Sequence, residues 1–190
     1  MHTYKYPAKG ELKGIVYLLH GLYAYSNQNA IIARILSEHG FEVLSIDLRG
    51  HGKSEGIPGY LESGKVVLQD INNFIKITEK EYEGKTPNKF ILGYSFGGLL
   101  ANLIALEKKD YFSGLILLAP AFHSDEGKYS FWIKIGRILN FIAPSLPLTH
   151  IKEKIEEDSV RSYIKNDPLM YKGKLRVATG LTIIDSINFF

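Results

Sequence analysis

Four short apolar runs, "GIVYLLHG", "FEVLSIDLRG", "KFILGY" and "GLILLAPAF", are rich in β-forming residues and punctuate the first two thirds of the chain. Between them lie segments with helical spacing. "SNQNAIIARILSEHG" opens with capping residues, carries Ile31, Ile32, Ile35 and Leu36 as its apolar side chains, and closes at Gly40. "VVLQDINNFIKITEKEYEG" sets Val67, Ile71, Phe74 and Ile75 on one stripe before Gly84. "FGGLLANLIALEKK" is apolar nearly all round, the pattern of a helix packed in the middle of a domain. Strands apolar on both faces and separated by helices predict an α/β fold, a doubly wound, mostly parallel sheet with helices on both sides. Such a sheet carries its chemistry beyond the carboxyl ends of its strands.

Size and composition narrow the reading. A chain of 190 residues, 45% hydrophobic and 23% charged, buries one sizeable core, so residues 1–190 are expected to form a single domain. The absence of cysteine excludes a disulfide framework and cysteine-ligated metal, and fits a reducing compartment. The net charge of +3 is modest, and lysines alternate with glutamates in "TEKEYEGK" and "IKEKIEED". That is a solvated surface rather than a nucleic-acid footprint, so no nucleic-acid partner is expected. No run of about 18 apolar residues occurs, which disfavours a membrane span and leaves a cytoplasmic location as the expectation.

Three loops fall on the chemically active edge: "HGLYAYS", "RGHGKSEG" and "GYSFGG". The third carries the strongest signal. In a G-x-S-x-G turn between strand and helix, Gly93 and Gly97 remove side chains that would clash, which leaves the Ser95 hydroxyl projecting above the sheet. Gly98 extends the clearance into the helix. The helix amino terminus also points N–H groups and partial positive charge at whatever Ser95 attacks. The competing reading is a serine that merely caps a helix beside glycines chosen for close packing.

"LLHG", "DLRGHGKSEG", "GYSFGG" and "NDPLMYKGKLRVATG", in that order, resemble the monoacylglycerol lipase and lysophospholipase branch of the α/β-hydrolase superfamily, a serine aminopeptidase S33-type hydrolase domain. The resemblance covers about residues 12–187. It implies Ser95 as nucleophile and an oxyanion hole built from the backbone N–H groups of Leu22 and Phe96, with no metal or organic cofactor. Position alone also supports Phe96, which opens the helix after the nucleophile. In this fold the partners follow the serine in the order acid, then histidine. His20 and His51 precede Ser95, so they are read as loop-organising residues.

After Ser95 the only histidines are His123 and His150, so one or the other is the only substitute base, and Asp125, shortly after the fourth strand, is the only substitute acid. Nothing in their spacing specifies a triad. In relatives the acid and histidine lie on strands and loops beyond the point where "GLTIIDSINFF" ends, and "HTYKYP" reads as the tail of a strand. The expectation is a chain truncated at both ends, with acid and base not recognisable. The resemblance further implies a helical cap over about residues 123–175. Within it, Phe131, Ile135, Ile138 and Ile142 recur at helical spacing, Trp132 and Leu139 widen the stripe, and Pro144 and Pro147 end it. Such a helix covers an acyl-chain tunnel, lies on a membrane surface, or covers the domain core; the sequence leaves all three open.

The implied activity is hydrolysis of a small single-chain acyl ester of the monoacylglycerol or lysophospholipid type, through an acyl-enzyme on Ser95, with peripheral membrane contact through the cap. The alternative is a truncated, non-catalytic hydrolase fragment that binds an acyl ligand or a protein.

Overall fold

The computed structural model describes residues 1–84, 87–123, 126–150 and 158–189. The strand segments Gly14–Leu19 (β2), Phe41–Ile46 (β3), Asn88–Tyr94 (β4) and Gly114–Leu118 (β5) are parallel neighbours, and Thr3–Tyr6 (β1) lies antiparallel on the outer edge of β3. The resulting order is β1-β3-β2-β4-β5. This is the mostly parallel sheet that the alternating pattern calls for.

The side chains of β2 divide the core into two layers, as a pleated strand buried on both faces must. Ile15, Tyr17 and Leu19 face the helices Gly64–Glu79 (α2) and Phe96–Glu107 (α3), while Val16 and Leu18 pack with Val43, Leu92 and Ala33 of the helix Ala30–Glu38 (α1). Among the described residues the first layer holds nineteen buried apolar residues and the second five. At roughly 1.5–3 kcal/mol for each fully buried large aliphatic side chain, the α2/α3 side supplies most of the hydrophobic stabilisation. Leu99, Leu100, Ala101 and Ile104 of α3 are wholly buried, so the turn that precedes α3 rests on the most firmly held helix of the domain.

Beyond β5 come the helix Glu126–Ile142 (α4), the short strand Pro147–Thr149 (β6), the helix Asp158–Asn166 (α5), the strand Leu175–Arg176 (β7) and the helix Val177–Ile187 (α6). β6 and β7 form a separate antiparallel pair. The sequence pattern does not announce this pair, because segments of three and two residues carry no legible period. α6 buries Val177, Ala178, Leu181 and Thr182 against the body, so the chain has rejoined the core by residue 177.

Two helices settle which of their apolar side chains turn inward. On α1, Ile31 and Ile35 are exposed, and the inward face is Ile32, Ala33, Leu36 and Ser37. The residue spacing supports either of two adjacent stripes, and the small Ala33 decides between them by letting the helix approach the sheet. On α4, Phe131, Trp132, Ile138 and Ile142 are exposed, whereas Gly136 is buried with room for only an ordinary contact to Leu181 of α6. α4 therefore seats its glycine against α6 and turns much of its apolar stripe outward.

Candidate active site

Leu19 of β2 pairs with Ile46 of β3 and with Gly93 of β4, so the three strands end level and their following loops share one edge. Ser95 occupies the turn between β4 and α3. Its backbone adopts φ 52° and ψ −119°. Positive φ is strained for a residue with a Cβ and persists only where the surroundings enforce it. Here the Ser95 N–H donates to the Leu118 carbonyl at 2.9 Å, and its own carbonyl accepts from the N–H groups of Gly98 (2.9 Å), Leu99 (3.2 Å) and Ala121 (3.2 Å).

The glycines are backbone requirements. A Cβ on Gly93 would overlap the Gly97 carbonyl, and a Cβ on Gly97 would overlap the carbonyls of Leu19 and His20. α3 thus begins in direct contact with the end of β2. A Cβ on Gly21 would lie 3.4 Å from that of Ser95, so the loop after β2 passes within van der Waals distance of the serine.

The chain contains its own control for the competing reading, in which the serine is a cap. Ser63 precedes α2 with φ −163°, and its hydroxyl accepts the Val66 N–H, as an N-cap side chain should. Ser95 precedes α3 with positive φ and makes no side-chain cap bond. Its hydroxyl is therefore not spent on the helix. Phe96, the first residue of α3, is among those whose N–H has no acceptor within the helix.

Leu22 and Tyr23 are the two central residues of a turn closed by the Ala24 N–H on the Gly21 carbonyl at 3.2 Å. Tyr23 has φ 63°, the sign a type II turn demands at its third position. Sequence reading missed this residue, because only glycine or asparagine would have flagged such a position. The hydrogen bond that closes the turn does not use the Leu22 N–H.

His20 and His51 organise these loops. His20 Nε2 accepts the Leu48 N–H at 2.9 Å, which puts its proton on Nδ1, 2.7 Å from the Gly21 carbonyl. It thereby fastens the loop after β2 to the loop after β3. The His51 Nδ1–H donates to the Arg49 carbonyl at 2.9 Å. Burial lowers both imidazole pKa values, that of His51 to about 4, because the charged form would lose its hydration; the positive charge of His20 adds to the shift of His51. Asp47, fully buried, accepts the N–H groups of Ser26 and Lys53 and so spans the same two loops. Arg49 reaches Asp70 of α2 with two hydrogen bonds, at 3.1 and 2.9 Å.

The segment returning toward α6 closes over this edge. The Tyr25 hydroxyl donates to Asp167 at 2.8 Å, and the Tyr171 N–H donates to the Tyr23 carbonyl at 3.2 Å. His150 is exposed and lines a cavity of about 140 Å³ together with Tyr23, Met170 and Tyr171. His123 is exposed after β5, and Asp125 lies outside the described residues. Among the described residues no cluster of histidine and carboxylate side chains could hold a metal ion, and no helix is long and apolar enough to cross a membrane.

The sheet order, the strained serine between β4 and α3, and the tight glycines around it define an α/β hydrolase. Residues 10–190 match the hydrolase family described as serine aminopeptidase, S33, and the chain belongs to that family. Among curated proteins it is similar to human monoglyceride lipase, at 28% identity over 186 residues, 94% of this chain and 59% of that protein. It is also similar to the monoacylglycerol lipase of Mycolicibacterium smegmatis, at 24% identity over 90% of this chain and 61% of that protein. The crystal structure of Paleococcus ferrophilus monoacylglycerol lipase superposes with a TM-score of 0.83 at 26% identity, covering 99% of this chain and 70% of that one. The chain thus spans about 59–61% of the length of these curated relatives.

Proposed function

We propose that this chain carries the nucleophile and the oxyanion donors of a serine hydrolase acting on the carboxylic ester of a single-chain lipid, of the monoacylglycerol or lysophospholipid type. The observation that carries the proposal is the backbone of Ser95, held at φ 52° with its hydroxyl unused by the helix it precedes. In this reading Ser95 Oγ bonds to the ester carbonyl carbon while a base takes the hydroxyl proton. The carbonyl oxygen becomes an oxyanion between the Leu22 and Phe96 N–H groups. The C–O bond to the alcohol then breaks, the alcohol leaves with the proton, and water cleaves the acyl-serine by the same steps in reverse.

Lipid as substrate is supported by the names of the relatives and by the outer face of α4. Phe131, Ile138, Phe141 and Ile142 are 66%, 65%, 93% and 80% exposed. An apolar helical face turned to solvent fits the interfacial reading of this cap, which spans about residues 123–175, better than the tunnel reading. Phosphonylation by a fluorophosphonate probe, mapped by peptide mass spectrometry, tests the nucleophile. A slow adduct on Ser95 is expected, and adducts confined to other serines would overturn the reading. A second reading, an acyl-binding module without turnover, is favoured by one observation: His20 and His51, the buried histidines of the two neighbouring loops, already hold backbone groups.

A further inference from the structure

We infer that Tyr25 and Asp167 are positioning residues for the oxyanion hole, an assignment that rests on the role proposed for Leu22. The two residues are separated by 142 positions, yet their side chains form a buried hydrogen bond of 2.8 Å. Tyr25 is 6% exposed and Asp167 8%. Asp167 divides its carboxylate between two donors. Oδ2 accepts the Tyr25 hydroxyl and Oδ1 accepts the Leu169 N–H at 2.9 Å, so the same side chain shapes its own Asp-Pro turn and grips the loop after β2.

Four residues further on, the Tyr171 N–H donates to the Tyr23 carbonyl, and the Tyr171 ring meets the Tyr23 ring edge-on at 4.8 Å. Tyr23 stands immediately after Leu22 and carries the positive φ of the turn. A non-glycine residue in that region costs on the order of 1 kcal/mol and relaxes unless it is held. The body holds the two ends of the loop, through His20 on Leu48 and Asp47 on Ser26. Its middle, from Tyr23 to Tyr25, is gripped by residues 167–171. Loosening that grip lets the Leu22–Tyr23 peptide rotate and swings the Leu22 N–H away from where an oxyanion forms. The returning segment therefore does more than close the site; it sets the direction of one catalytic donor.

The test uses the full chain with Tyr25→Phe, which keeps the ring and removes one hydroxyl, and Asp167→Asn, which can accept from only one of the two donors. Labelling with carbonyl-13C glycine and 15N leucine isolates Gly–Leu peptides, of which the sequence has four. The Leu22 amide resonance is expected to move in both variants, with Leu99, Leu115 and Leu181 unchanged. A Leu22 resonance identical to wild type in Tyr25→Phe overturns the inference. In parallel, Ser95-dependent hydrolysis of p-nitrophenyl butyrate should lose about tenfold in kcat with KM unchanged, less than the roughly 10²-fold loss of a whole donor. The double variant should be no slower than the slower single one. A raised KM with unchanged kcat would make these substrate contacts and refute the positioning role. If wild type lacks any Ser95-dependent turnover, the proposed function fails, while the Leu22 resonance still decides whether residues 25 and 167 orient the loop.

Discussion

The imidazole rings of His20 and His51 lie 5.5 Å apart, both buried, at the carboxyl ends of β2 and β3. Two histidines this close and this dry cannot both be charged. The folded state keeps His51 neutral down to about pH 4, and the pKa of His20 is lowered as well, whereas the unfolded chain protonates both near the ordinary 6.5. Between those values the unfolded state binds more protons, so stability is full above pH 6.5 and falls as the pH drops toward 4. For His51 alone the loss approaches about 3 kcal/mol. Urea unfolding midpoints measured from pH 7.5 to 4.5 should decline, and His51→Gln should flatten that decline. A wild-type midpoint constant across the window would contradict the arrangement.

Gly97 and Gly136 predict opposite outcomes for the same substitution. A Cβ on Gly97 strikes the carbonyls of Leu19 and His20, which are strand and loop backbone and cannot move aside. A Cβ on Gly136 meets only Leu181 Cδ2 at 3.7 Å, an ordinary contact. Gly97→Ala should therefore cost on the order of 3 kcal/mol. Gly136→Ala should be neutral or stabilise by up to about 1 kcal/mol, because alanine favours the helix. Thermal melts of the two variants would separate them, and a tolerated Gly97→Ala would show that α3 does not abut β2.

Much of this architecture is written locally. β2, β3 and β4 announce themselves as apolar runs because both faces are buried, and the glycines at 93 and 97 are visible because backbone lies where their side chains would be. His20 and His51 precede the serine, which already spoke for a loop role, and their hydrogen bonds to Gly21 and Arg49 agree with it. What could not be read depends on distance in sequence. The period of α1 allowed two stripes, and only the approach of Ala33 to the sheet chose between them. Nothing near Asp167 in the sequence names Tyr25 as its partner, and nothing near Tyr23 names Tyr171. Such pairs are set by how the segment after β5 folds back, and no local period records that.

The exposed face of α4 predicts lipid affinity that does not depend on catalysis. Phe141 and Ile142 are 93% and 80% exposed, so replacing them removes little that the folded domain buries. Moving two such side chains into a bilayer interface is worth on the order of 3 kcal/mol. Phe141→Ser with Ile142→Ser should reduce co-sedimentation with phosphatidylcholine vesicles by at least about tenfold while leaving the melting temperature unchanged. Equal vesicle binding by the double variant and the wild type would remove the interfacial role from this helix.

The strongest demand on the proposed mechanism concerns the proton of Ser95. The hydroxyl is unused by α3, but a neutral alcohol is a weak nucleophile until a base takes its proton. The His20 ring bonds backbone through both nitrogens, and His51, whose buried Nε2 has no hydrogen-bond partner among the described residues, is a weak base because burial lowers its pKa to about 4. The 190-residue polypeptide should therefore hydrolyse p-nitrophenyl butyrate only slowly, at a rate set by oxyanion stabilisation, on the order of 10³-fold above water. Added imidazole should raise the enzymatic part of the rate by taking the Ser95 proton, and Ser95→Ala should abolish both the slow reaction and its imidazole response. Rapid turnover without imidazole, lost in Ser95→Ala, would mean that a base on this chain already reaches the serine. His123→Ala and His150→Ala would then identify it, since those are the remaining histidines that follow Ser95.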